Sequence, residues 1–241
     1  MLEVEGLTRD YGSRRAVDAV SFDVRPGEVV GLLGPNGAGK TSTLRMLAGI
    51  IRPTAGSARV AGHDIVSQSM QARARLAFVP DEPRFFDYLT VEEHLRLMAR
   101  LYGVASVEEP LARLVAETTV GRRLDALPGA LSRGMRQELA LACGMVHAPS
   151  VLLLDEPLTG LDPLAIKRTK DVIRGAAAGG MAILLSSHLL HLVAELCQRV
   201  VVLNLGRVVV QGSIDELAQR RGMAGESLEA LFVALLSGEG R

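Results

Sequence analysis

The sequence predicts an α/β fold: a mostly parallel sheet covered by helices, an antiparallel β part at the N-terminus and an inserted helical lobe. Three observations carry that prediction. Apolar runs at 29–33, 76–79, 151–154, 181–185 and 200–203 read as buried strands, and helical patterns separate several of them. The first run opens onto Gly34-Pro35-Asn36-Gly37-Ala38-Gly39-Lys40-Thr41, and residues 42–49 then carry apolar side chains at helical spacing before a glycine. From about residue 82 to 147 the pattern is helical, with no convincing strand.

The chain has 241 residues, enough for one large domain. We expect its core at about 1–81 and 148–212, the lobe at about 82–147 and a helical tail over 213–241. Hydrophobic residues make up 48%, which argues against disorder. Aromatics are only 3% and Trp is absent, so the core must be built from Leu, Val, Ile and Ala. Lys+Arg and Asp+Glu are both 27, so no basic surplus points to a nucleic-acid partner. Cys143 and Cys197 fit no metal or redox spacing and read as buried free thiols. The first residues carry Glu3 and Glu5 where a signal peptide needs bases, and no apolar run approaches membrane-spanning length. These features predict a soluble, cytoplasmic chain whose membrane role, if any, comes through a partner.

Taken in order, residues 2–9 and 16–24 should pair as antiparallel strands, because Val20, Phe22 and Val24 alternate with Ser21 and Asp23. Tyr11-Gly12 lies between them. Residues 57–61 read as a strand and Gly62-His63-Asp64 as a turn. In the lobe, Thr90 and Glu93 form a capping box before a helix over 91–102, with Leu95, Met98, Leu101 and Tyr102 on one face. Ser106 and Glu109 suggest a second capped start, carried on by Leu111, Leu114 and Val115. Residues 121–129 read as loop, and Ser132 caps a helix running to about 147. Asp162 and Pro163 open a helix over 163–178 that Gly179-Gly180 ends. Leu205-Gly206 joins the strand at 200–203 to another at 207–210. Ser213 and Glu216 cap a further helix, and an amphipathic segment spans 228–236.

The glycine loop fits phosphate binding. Gly34, Gly37 and Gly39 let the backbone wrap an anion closely, and the N–H groups that open the next helix point at it. Lys40 supplies a mobile charge for the β- and γ-phosphates, and the Thr41 hydroxyl is placed for Mg²⁺. The run 151–154 ends in Asp155-Glu156, which puts two carboxylates at the ligand-binding edge of the sheet. Asp155 is suited to hold Mg²⁺ near Thr41, and Glu156 to polarise a water for attack on the γ-phosphate. His188, after the strand at 181–185, reaches the same edge. By themselves His63, His94, His147 and His191 read as ordinary structural or surface histidines.

Together these residues resemble the nucleotide-binding subunit of an ATP-binding cassette (ABC) transporter, over nearly the whole chain. The resemblance implies a P-loop NTPase (RecA-like) core. It assigns Gly34, Pro35, Asn36, Gly37, Ala38, Gly39, Lys40, Thr41 and Ser42 to the family's Walker A loop, and residues 151–157 to its Walker B. Tyr11 matches the aromatic that stacks on adenine. Leu131-Ser132-Arg133-Gly134-Met135 takes the place of the signature Leu-Ser-Gly-Gly-Gln, which in the family meets the ATP held by the other subunit. Leu161-Asp162 matches the loop that crosses the dimer interface, and His188 the switch histidine. Two departures stand out. Arg133 and Met135 alter the signature. Asp81 stands where the family usually has a glutamine, which makes it a third candidate metal ligand and adds negative charge near Asp155 and Glu156.

The implied function is an ATP-hydrolysing engine that uses ATP and Mg²⁺. Two cassettes, identical or not, would close around ATP while docked to an integral membrane permease at the inner face of the membrane. The aromatics Phe85, Phe86 and Tyr88 are candidates either for receiving that permease or for fixing the lobe to the core. Residues 228–236 resemble the ending of the drug- and polysaccharide-export branch. Two alternatives compete: a soluble ABC-type ATPase, which usually carries coiled coils or a second cassette, and a weakly hydrolysing ATP-dependent switch. Glu156 and His188 argue against the second.

Overall fold

A computed structural model describes residues 1–220, 222, 223 and 226–237, with the side chains of all of these except Leu114 and residues 235–237. The expected tail over 213–241 therefore lies outside the described residues at 221, 224, 225 and 238–241. In chain order the elements are β1 (Leu2–Tyr11), β2 (Arg14–Val24), β3 (Val29–Leu33), α1 (Lys40–Leu47), β4 (Ala55–Val60), β5 (His63–Asp64), α2 (Ser69–Ala74) and β6 (Leu76–Val79). The helices α3 (Val91–Leu101), α4 (Glu108–Glu117) and α5 (Arg133–Met145) follow. The chain then runs through β7 (Val151–Asp155), α6 (Pro163–Ala178), β8 (Ala182–Ser186), α7 (Leu190–Leu196), β9 (Arg199–Asn204), β10 (Arg207–Ser213), α8 (Ile214–Arg220) and α9 (Leu228–Ser237).

Two sheets form. One has the order β2-β1-β4-β5 and is antiparallel; the other runs β10-β9-β3-β8-β7-β6, parallel except for the β9–β10 hairpin. Every residue of β3, β7 and β8 is buried, as expected of central parallel strands covered on both faces. The β9–β10 turn places Leu205 at φ 46° and Gly206 at φ 83°, the double left-handed geometry of a tight hairpin.

Three apolar clusters hold the layers. The first fills the space between the two sheets and clamps α1 there through Leu44, Met46 and Leu47. The second packs α6, α7, α8 and α9 on the other face of the parallel sheet. The third lies within the helices that follow β6, around Val91, Leu95, Leu111, Leu139 and Cys143. Phe85 packs against both the second and the third.

Several local expectations match the structure. Thr90 and Glu93 make the reciprocal capping box, Ser132 accepts from Met135 N, and Asp162 accepts from Leu164 N and Ala165 N. Ser213 and Glu216 exchange bonds in the same way at the start of α8. Others are corrected. Gly62-His63-Asp64 is not a free turn, because His63 and Asp64 pair with Val60 and Arg59 as β5. Residues 121–129 are not plain loop: tight single-turn helices form at Val120–Arg123 and Pro128–Ala130.

The buried face of α3 is Val91, His94, Leu95 and Ala99. Leu101 is 69% exposed, and Tyr102 leaves the helix face to stack on His147 at 3.7 Å. The second capping box does not close. Ser106 Oγ accepts from Glu108 N, one residue early, and Glu109 pairs with Arg113.

Helix α5 is pinned by a buried acid. Glu138 is 3% exposed. Its Oε2 accepts from Thr119 N (2.9 Å), Thr119 Oγ1 (2.7 Å) and Val120 N (3.0 Å), and its Oε1 from Arg168 Nε on α6 (2.6 Å).

Candidate active site

The site is built where β3, β7 and β8 end side by side. In the register, Leu154 pairs with Leu185 and Asp155 with Ser186, while β3 lies on the other side of β8. The glycine loop follows β3 and opens α1. Gly34 has φ 153°, and a Cβ there would sit 2.3 Å from the Leu203 carbonyl oxygen. Gly39 has φ 103°, and a Cβ would meet Ala16 O at 2.6 Å. Both positions therefore demand glycine by contact as well as by backbone conformation. Pro35, Asn36 and Gly37 are exposed at the loop rim, Ala38 is buried below, and Ser42 is half-buried in the first turn of α1.

The Lys40 ammonium is buried and donates to Gly34 O (2.7 Å) and Pro35 O (3.2 Å). Burial pushes its pKa down, while Glu156 and Asp155 pull it back up. Thr41 Oγ1 donates to Asp155 Oδ1 at 3.5 Å, across 114 residues of sequence. Asp155 Oδ1 also accepts from Ser186 Oγ at 2.6 Å. Among the described residues no group of three or more His, Cys, Asp or Glu side chains is arranged to hold a metal. A hydroxyl and one carboxylate suit Mg²⁺, which keeps waters and takes substrate phosphate oxygens for its remaining ligands.

Glu156 leaves the strand at φ 50°, a left-handed conformation that costs a non-glycine residue about 1–3 kcal/mol. Its N–H bonds Ser186 O (3.1 Å) and Ser186 Oγ (3.2 Å), which hold the strained peptide. Its Oε2 meets His188 Nδ1 at 2.8 Å and accepts from Thr159 Oγ1 (3.0 Å) and His188 N (3.3 Å). The sequence singled out His188. It did not single out Thr159 or Ser186; the signal was there only as hydroxyls flanking an acidic strand end.

Tyr11 closes β1, 45% exposed, with the Arg9 guanidinium 4.6 Å from its ring centroid. It pairs with Arg14, whose Nη2 would lie 3.8 Å from a Cβ at Gly37, so this corner borders the glycine loop.

Ser132 caps α5, and Arg133, Gly134 and Met135 are its first residues. Ser132 is exposed, and Gly134 packs so closely on α6 that a Cβ would lie 2.9 Å from Ala165 Cβ. Asp162 is exposed at the head of α6, with Oδ2 3.9 Å from the same Gly134 Cβ position. Asp81 turns toward Arg133, Oδ1 to Nη2 at 3.3 Å. Burial raises the Asp81 pKa, Arg133 lowers it, and Glu156 and Asp155 raise it further.

The three aromatics of this segment differ in burial. Phe85 is the joint described above, whereas Phe86 and Tyr88 are 51% and 76% exposed. His94 fixes this segment. Its Nε2 accepts from Phe86 N (3.0 Å), its Nδ1 meets Thr90 O (2.8 Å) and its ring sits edge-on to Phe85.

A family model described as ABC transporter matches residues 17–159. The Nod factor export ATP-binding protein I of Ralstonia nicotianae is 40% identical over 219 residues, covering 90% of this chain and 68% of that protein. The ABC-type transporter ATP-binding protein EcsA of Bacillus subtilis is 33% identical, covering 98% and 96%. The daunorubicin/doxorubicin resistance ATP-binding protein DrrA of Streptomyces peucetius is 39% identical, covering 92% and 68%. A solved ATP-binding subunit of an ABC transporter superposes with a TM-score of 0.91 at 35% identity, covering 98% of this chain and 99% of that one. Among the described residues no helix is long and apolar enough to cross a membrane. The chain belongs to the ABC transporter family, as one of its ATP-binding, ATP-hydrolysing subunits.

Proposed function

We propose that this subunit drives export through an integral membrane permease, at the inner face of the membrane, by closing head-to-tail with a second nucleotide-binding subunit around ATP. The observation that carries the reading is the convergence of Lys40, Thr41, Asp155, Glu156 and His188 at one sheet edge. The relatives named for Nod factor export and drug resistance support the direction of transport.

Tyr11 stacks on the adenine, and residues 34–42 cradle the phosphates with backbone N–H groups, with Lys40 leaving its loop carbonyls for the β- and γ-oxygens. Thr41 and Asp155 would hold Mg²⁺, with Asp81 a third candidate, and the ion would supply charge neutralisation on the phosphates. Glu156 accepts the proton of the attacking water, and His188 and Thr159 orient its carboxylate. Ser132, Arg133, Gly134 and Met135 face the γ-phosphate held by the second subunit, and Asp162 lies at the interface between them. Phe86 and Tyr88 receive the permease, as exposed aromatics suited to a docking groove.

Glu156→Gln should keep ATP binding, lose turnover by at least about a hundredfold and trap a dimer with ATP. Hydrolysis at the parent rate would refute the role of Glu156. Gentle solubilisation of native membranes with the tagged chain should recover a multi-spanning protein in stoichiometric amount; recovery of the chain alone would refute the coupling.

A further inference from the structure

Arg133 touches two other segments at once. Its Nη2 pairs with Asp81 Oδ1 at 3.3 Å, just beyond β6. Its guanidinium lies over Gly160, where a Cβ would come within 3.0 Å of Cζ, 3.1 Å of Nε and 3.2 Å of Nη1. Gly160 has φ 69° and lies in the loop that leads from Glu156 to Asp162. Arg133 itself is the first residue of α5, directly after the cap Ser132. Asp81 and Arg133 both put a charge where the motifs quoted above have a neutral residue, and they face each other.

The pair is open to water, at 44% and 46% side-chain exposure for Asp81 and Arg133. Such a pair is weak. A phosphate offers the guanidinium a stronger, two-point acceptor than one carboxylate oxygen does. Asp81 also feels repulsion from Asp155 and Glu156, so Arg133 offsets an excess of negative charge beside the phosphate site.

We propose that Arg133 serves two anions in turn: Asp81 of its own chain while the subunit is alone, and the γ-phosphate of ATP held by a second copy of this chain once the two close. The exchange rests on the head-to-tail closure proposed above. Asp81 is then a competitor that sets the ATP concentration at which the dimer forms.

The test follows ATP-driven dimer formation by light scattering in a Glu156→Gln background, with Mg-ATP titrated against each variant. Asp81→Asn removes the competitor. Each pair is worth about 1.4- to fivefold, so breaking both should favour the dimer by about two- to 25-fold. Arg133→Gln should weaken the dimer, and Arg133→Lys should restore part of it. In the Arg133→Gln background, Asp81→Asn should have no effect on the midpoint. A metal-binding role of Asp81 would shift the midpoint equally in both backgrounds, and that result overturns the exchange. An unchanged midpoint for Asp81→Asn in the Arg133 background overturns it as well. Absence of any ATP-driven dimer in the Glu156→Gln parent overturns the closure itself, and is told apart from the other failures by appearing before Asp81 or Arg133 is altered.

Discussion

Glu138→Ala is the substitution whose cost follows most directly from the structure. The carboxylate is buried on α5 and gathers four donors: two backbone N–H groups, the Thr119 hydroxyl and the Arg168 guanidinium. The Thr119 hydroxyl can rotate, and Arg168, with 30% of its side chain exposed, can turn to water. The N–H groups of Thr119 and Val120 cannot move without unwinding the turn at Val120–Arg123. An unsatisfied buried donor costs about 1–3 kcal/mol, so the two amides together with the lost ion pair come to about 3–5 kcal/mol. At about 2–4 °C per kcal/mol for a chain of this size, the midpoint should fall by about 10 °C. Calorimetry and urea unfolding without nucleotide would measure it. Arg168→Leu should cost less, because Glu138 keeps three of its four donors. A fall of less than about 2 °C for Glu138→Ala, or a larger fall for Arg168→Leu, would refute the reasoning.

Two further predictions come from buried titratable groups. Burial pushes the Cys143 thiol up to about 12 and the Cys197 thiol up as well, so neither should react with a disulfide reagent at pH 8 in the native protein, and both should react in denaturant. Burial lowers the pKa of His147, so as pH falls below its ordinary value of about 6.5 the unfolded chain binds the proton first and stability is lost. His147→Phe, which keeps a ring against Tyr102, should lose less stability between pH 7.5 and 5.5 than the parent in urea unfolding; equal losses would contradict this.

The glycine loop, the acidic strand end and the caps at Thr90, Ser132, Asp162 and Ser213 were legible because each is a local pattern with a local cause. A left-handed glycine, a hydroxyl before a helix and an apolar run each leave their mark within a few residues. What was not legible depends on neighbours far along the chain. Glu138 reads as one more helix-surface acid until Thr119 and Arg168 are seen around it. Asp81 and Arg133 are separated by 52 residues, and nothing in either segment announces the other. Leu101 looked buried because helical periodicity was carried one turn too far, past the point where α3 meets solvent. His94 read as an ordinary histidine; the backbone N–H it receives, from Phe86, lies in an irregular segment with no period to read.

Phe85 packs against two separate cores, and its neighbours Phe86 and Tyr88 stand outside both. Because His94 grips the intervening backbone, this segment resists bending and acts as a stiff pawl. Anything seated on the outer rings is mechanically in series with the joint: a push there has little slack to take up before it reaches the boundary between the sheet and the α3–α5 helices.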